Sequence, residues 1–219
     1  MSNKLRTPRL LAFYQEYLER QDTAIFVNRV SEWYDSGTLE RLVFDSRRQV
    51  RRAAVLALGF LGQYEANHTL GMALQDEDRT VRTLAENSIR CIWTRVGNED
   101  DRWELSAIMK LNASRQFDKV VRRATQLIRR LPSLAEAWNQ RAYAQHALGR
   151  YAESIRDCHE ALEINPYHFV AAVGMGRAYL ELGNATLALE CFRRALRLNP
   201  DLEGVRAQVE RLERMVGGK

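Results

Sequence analysis

The chain has 219 residues, 46% apolar and 28% charged, an ordinary balance for a soluble protein and enough length for one large or two small domains. Its net charge of +5 is concentrated: residues 1–100 carry 14 basic and 14 acidic side chains and residues 135–219 carry 11 of each, while residues 101–134 carry 8 against 3. Three scattered cysteines, Cys91, Cys158 and Cys191, argue against a disulfide framework or a zinc site, and the longest apolar run, Ala53 to Leu61, is far too short to cross a membrane, so a cytoplasmic protein without membrane association is expected.

Only 4 prolines and 12 glycines interrupt segments rich in Ala, Leu, Arg and Glu, which are strong helix formers, so the expected fold is all-α. Residues 1–37 read as one or two amphipathic helices that cap the remainder, with Leu10, Leu11, Phe13, Tyr14, Tyr17 and Leu18 on the first stripe and Ile25, Phe26, Val30 and Trp33 on the second.

Residues 38–97 hold a 31-residue period, in which Asp45, Val50, Arg51, Ala54, Leu58 and Leu61 align with Asp76, Val81, Arg82, Ala85, Ile89 and Ile92. Both copies read D-x-x-x-x-V-R followed by an apolar helix. This pattern resembles the short HEAT repeat of phycobilin-lyase-type arrays. The resemblance implies that each loop Asp caps the following helix and contacts a neighbouring Arg, a structural ladder and not a binding site. A lyase-like enzyme is the minor alternative it brings, and the sequence offers no nucleophile or pocket for one.

The short acidic join Gly97-Asn98-Glu99-Asp100-Asp101 leads into a 34-residue period. Pro132, Pro166 and Pro200 recur at that spacing, as do Gly149 and Gly183, Asn165 and Asn199, and Ala161 and Ala195. Each period reads as two helices, with a glycine free to turn left-handed at the break and proline stopping the second helix. Residues 135–168, through Trp138, Ala142, Gly149, Tyr151, Ala161 and Pro166, and residues 169–202, through Gly176, Tyr179, Ala188, Phe192, Ala195 and Pro200, resemble the tetratricopeptide repeat. Residues 101–134 keep Phe117 and Pro132 and form a degenerate copy, completing three repeats over 98–202. Residues 203–216, with Val205, Val209, Leu212 and Val216 on one face, look like the polar-faced capping helix such arrays need. The resemblances together imply a right-handed α-solenoid, a superhelix of helix hairpins.

Candidate chemistry is sparse. Cys158 and His159 are adjacent, which on a helix points them about 100° apart and makes a poor nucleophile and base pair. No catalytic residue, cofactor or metal is expected, and the chain reads as a non-catalytic adaptor or scaffold that binds a protein or peptide. Tetratricopeptide arrays bind segments along the concave surface made by the first helix of each repeat. Carried over by position, that lining includes Arg102, Leu105, Ser106 and Met109, then Glu136, Asn139, Gln140 and Tyr143, then Val170, Val173, Gly174 and Arg177, with Gln208 and Arg211 on the cap. The best-known ligand of such grooves, the C-terminal tail of a chaperone, needs Lys or Arg and Asn where this chain has Leu105, Met109, Gln140, Val170 and Gly174, so that partner is not expected. The alternative reading is a nucleic acid or acidic partner on the stripe of Lys119, Arg122, Arg123, Arg129 and Arg130, which carries no aromatic for base stacking.

Overall fold

A computed structural model describes residues 8–217, with side chains as far as Met215. The polar segment 1–7 and the Val216 side chain, both part of the sequence reading, lie outside the described residues. The described residues are all-α and divide into two compact units, the first ending at Ile92 and the second beginning at Trp93. Among them, no helix is long and apolar enough to cross a membrane.

The first unit contains α1 (Arg9–Arg20), α2 (Thr23–Trp33), α3 (Ser36–Leu42), α4 (Arg48–Leu61), a single 3-10 turn (Tyr64–Ala66), α5 (Asn67–Ala73) and most of α6 (Arg79–Trp93). Its core is the apolar stripe read from the sequence: Leu10, Tyr14, Phe26 and Val30, then Val50, Ala54 and Leu58 in α4 and their counterparts Val81, Ala85 and Ile89 in α6. The helices start where side chains satisfy otherwise orphaned amides. Asp22 accepts from the Ile25 N–H at 3.0 Å and Asp35 from the Thr38 N–H at 2.6 Å. Gly59 lets α4 and α6 touch, because a Cβ there would lie 2.3 Å from Ser88 Oγ.

The 31-residue motif is a ladder, with one correction to the reading. Arg51 reaches back to its own loop, donating to the Asp45 carbonyl at 3.1 Å, and Arg82 does the same to the Asp76 carbonyl at 2.9 Å. Arg51 also grips Asp76 with two bonds of 2.8 and 2.9 Å, and its neighbour Arg52 grips Asp78 with bonds of 2.9 and 2.6 Å. The helix cap belongs to Asp78, whose carboxylate accepts the Val81 N–H at 3.0 Å. Asp76 instead shapes the turn, accepting the Asp78 N–H at 2.8 Å, because it sits two residues too early to reach the first turn of α6.

The second unit contains α7 (Glu99–Ala113), α8 (Phe117–Arg130), α9 (Ala135–Ala147), α10 (Tyr151–Ile164), α11 (Phe169–Glu181), α12 (Ala185–Leu198) and α13 (Glu203–Gly217). The short acidic segment 97–101 is a helix cap: Asn98 accepts from the Asp101 N–H at 2.9 Å while Asp101 accepts from the Asn98 N–H at 3.1 Å, a reciprocal box that starts α7. Each hairpin closes on a left-handed residue, Gly149 and Gly183 at φ 73° and, in the degenerate copy, Arg115 at φ 56°. Asn165 and Asn199 recur because their side chains accept the amide two residues on, from Tyr167 and Asp201, both at 3.1 Å, which turns the chain at Asn-Pro. The small residues stand where helices approach: a Cβ on Gly176 would lie 2.7 Å from the Phe192 ring, and Ala142, Ala161, Ala188 and Ala195 are buried in the same core.

Candidate functional site

Thiol chemistry finds no support in the geometry. Cys158 is buried among Ala161, Ala171 and Leu162, and that burial pushes its pKa up to about 12, while burial takes Cys191 to about 11. Neither thiol supplies a thiolate at neutral pH. The adjacent His159 points to solvent, 3.8 Å from Glu163.

The first helices α7, α9 and α11, with the capping helix α13, carry the positions read as a ligand groove. The ninth position of each is open to solvent: Met109 is 38% exposed, Tyr143 is 56% exposed, and Arg177 and Arg211 are exposed. Ser106 and Gln208, at the sixth position, are exposed too, while Gln140, Gly174, Val170 and Val173 are half-buried and Arg102 is exposed. Tyr143 is held by an edge-on contact with Phe117, the ring centroids 6.2 Å apart. Neither Arg177 nor Arg211 lies within ion-pairing distance of a carboxylate among the described residues, in contrast to Arg193, which holds Glu213 at 2.7 Å.

Three of the named positions turn inward. Leu105 is in the core with Ile108 and Leu127. Glu136 and Asn139 are only 7% and 8% exposed and belong to a buried polar chain. In it, the Ala171 N–H donates to His168 Nδ1 at 3.2 Å, which leaves Nε2 to carry the hydrogen that faces Glu136 Oε2 at 2.9 Å. Glu136 Oε1 accepts from Gln140 Nε2 at 2.6 Å and Asn139 Nδ2 at 3.2 Å. Asn112 Nδ2 then donates to Gln140 Oε1 at 2.7 Å and to its carbonyl at 2.9 Å. Burial opposes ionisation of Glu136, yet the bonds from His168, Gln140 and Asn139 outweigh it and hold the carboxyl below its ordinary value. The His168 ring is stacked on Trp93, with centroids 4.2 Å apart, and Trp93 also meets Phe169. Sequence reasoning missed this cluster because Glu136 and His168 are 32 residues apart and only the stacking of α9 on α11 joins them.

The basic stripe on α8 is divided by ion pairs. Arg123 holds Glu104 through bonds of 2.7 and 2.6 Å, and Arg130 holds Asp101 at 2.7 Å. Lys119, Arg122 and Arg129 are exposed with no carboxylate within ion-pairing distance among the described residues, although Lys119 donates to Gln116 at 2.6 Å. The stripe thus presents three free cations and not five.

Comparison with known proteins agrees with this architecture. Residues 135–168 and 170–202 each match the tetratricopeptide repeat family. A TPR repeat-containing protein of Rhizobium etli is 34% identical over 87 residues, 40% of this chain and 43% of that protein. The Hsp70-Hsp90 organizing protein 1 of Glycine max is 25% identical over 113 residues, 50% of this chain and 20% of that protein, so the matched stretch spans less than half of either relative. Among solved structures, the first TPR of Spaghetti (RPAP3), bound to an HSP90 peptide, shares the fold with a TM-score of 0.53 at 19% identity, covering 56% of this chain and 97% of that one. Residues 135–168 and 170–202 are therefore two tetratricopeptide repeats in tandem, each a helix hairpin closed by a left-handed glycine and stopped at Asn-Pro.

Proposed function

We propose that the second unit is a non-catalytic adaptor that receives a peptide or protein segment across the first-helix face of α7, α9, α11 and α13. The observation that carries this reading is the row Met109, Tyr143, Arg177 and Arg211: four side chains at 34-residue intervals, each exposed, at the same position of α7, α9, α11 and α13. A ligand lying across the helices meets all four, and Met109 and Tyr143 offer it exposed apolar surface. The Spaghetti domain, whose structure holds an HSP90 peptide, supports a peptide as the ligand class. In this chain the chaperone-tail positions hold buried Leu105, half-buried Val170 and Gly174, Gln140, and Met109, which supports a segment other than a chaperone C-terminus.

Within this proposal the second unit comprises the repeats 101–134, 135–168 and 169–202 and the cap 203–216, and residues 38–97 are HEAT-like hairpins behind an N-terminal cap of residues 1–37. The doubled Arg51 and Arg82 geometry supports a structural role for those hairpins. The test is a pull-down from native lysate with the wild type beside a Tyr143→Ala, Arg177→Ala double variant. Loss of the retained proteins in the variant is expected, and an unchanged set refutes the face.

A second reading rests on exposed Lys119, Arg122 and Arg129, which suit an acidic surface or nucleic acid. Retention on heparin that falls steeply with salt and disappears on reversing these three charges supports it. Flow-through at about 50 mM salt removes it.

A further inference from the structure

The exposed row changes character along its length. Met109 and Tyr143 are apolar and aromatic, and Tyr143 is braced by Phe117. Arg177 and Arg211 are cationic, and Arg214, one turn beyond Arg211 on α13, is exposed as well. All three guanidiniums lack a carboxylate within ion-pairing distance among the described residues, including Glu181, which is exposed one turn beyond Arg177. Other arginines of the second unit hold carboxylates: Arg123 on Glu104, Arg130 on Asp101, Arg141 on Asp157 and Arg193 on Glu213. An arginine left out of such a network, in register with an exposed tyrosine, has its charge and its donors available to a ligand.

Resting on the adaptor reading above, we propose that the ligand is a two-part segment, with an aromatic or aliphatic residue seated on Tyr143 and Met109 and acidic side chains seated on Arg177 and Arg211. Its internal spacing follows from helix geometry. Packed helices lie about 8–10 Å apart, so Arg177 is about 10 Å and Arg211 about 20 Å from Tyr143 across the face. An extended chain advances about 3.3 Å per residue, so the carboxylates fall about three to six residues from the apolar anchor. The Tyr143 end supplies desolvated apolar contact and the arginine end supplies charge-assisted bonds that specify the acidic residues.

The test is affinity selection of a displayed random 12-residue peptide library on the full chain, run in parallel on the wild type and on an Arg177→Glu, Arg211→Glu variant whose helicity is checked by circular dichroism. The wild type is expected to enrich peptides with Asp or Glu three to six positions from an aromatic or aliphatic residue. The double variant is expected to lose the acidic preference, keep the apolar one, and bind the wild-type winners at least tenfold more weakly. Enriched peptides that lack the acidic half but lose binding to a Tyr143→Ala variant would overturn this inference and leave the adaptor face standing. No enrichment, or winners indifferent to Tyr143→Ala, would overturn the adaptor face and this inference with it.

Discussion

Replacing Asp76 by Ala isolates the ladder of the first unit. Asp76 makes two bonds to the Arg51 guanidinium, at 2.8 and 2.9 Å, and one to the Asp78 N–H at 2.8 Å. The Arg51 side chain is 8% exposed, so removing its partner strands a buried cation, an event that costs about 3–5 kcal/mol when nothing else compensates. Here the Asp45 and Ser46 carbonyls, at 3.1 and 3.3 Å, and Glu77, at 3.0 Å but 85% exposed, remain in place. The expected loss is therefore about 2–3 kcal/mol, above the ~1 kcal/mol typical of a missing helix cap. Urea unfolding followed by circular dichroism reads the loss, and amide exchange assigns it to α4–α6, since a two-unit chain need not unfold in one step. An Arg51→Met, Asp76→Leu double variant recovers most of it, because the stranded charge is gone. A loss below about 0.5 kcal/mol, or a double variant no better than Asp76→Ala, would refute the account of the ladder.

The remaining predictions concern single positions. The Arg52 guanidinium and the Val81 N–H hold the Asp78 carboxyl down at about 2, from an ordinary 3.8. A depressed carboxylate contributes stability that is complete above about pH 4 and is lost as pH falls toward 2, so the gap between wild type and Asp78→Asn shrinks from about 1–2 kcal/mol at pH 6 to almost nothing at pH 2; a gap independent of pH would count against the pairing. Arg115 occupies at φ 56° the position where the later repeats place Gly149 and Gly183, so Arg115→Gly stabilises the second unit by about 0.5–1 kcal/mol in thermal unfolding, and a lowered Tm contradicts the strain argument. With Cys158 at about 12 and Cys191 at about 11, both buried, only Cys91 reacts with an aromatic disulfide reagent in the native state at pH 8, and three thiols reacting at once would show that the core of α10–α12 opens readily.

The parts legible in the sequence are those written in local backbone chemistry. Gly149, Gly183 and the Asn-Pro pairs each fix a turn through their own dihedral angles and nearest amides, so their 34-residue spacing reports two hairpins directly. Apolar periodicity likewise reports which face is buried, as Val50, Ala54 and Leu58 show. Partner choice across helices is not local. Nothing in the spacing of Arg123 and Arg130 reveals that Glu104 and Asp101, 19 and 29 residues away, will take two cations from the stripe. The groove positions divide for the same reason: Glu136 and Asn139 share a helix with Gln140 and Tyr143, but both are buried, Glu136 against His168 from 32 residues away and Asn139 bonded to Glu136. Two local signals were present and went unread. Asn98-x-x-Asp101 has the spacing of a reciprocal cap, and Asp78 stands at the cap position although the repeated Asp76 draws attention first.

The central claim, that ligands cross the first-helix face of the second unit, is tested most directly by site-specific photo-crosslinking. A benzophenone side chain is placed in turn at Tyr143 and Arg177, on that face, and at Gln126 and Glu160, exposed on the second helices α8 and α10. Irradiated in native lysate, the first pair should give discrete adducts that the second pair does not. Adducts from Gln126 or Glu160, with none from Tyr143 and Arg177, would contradict the account.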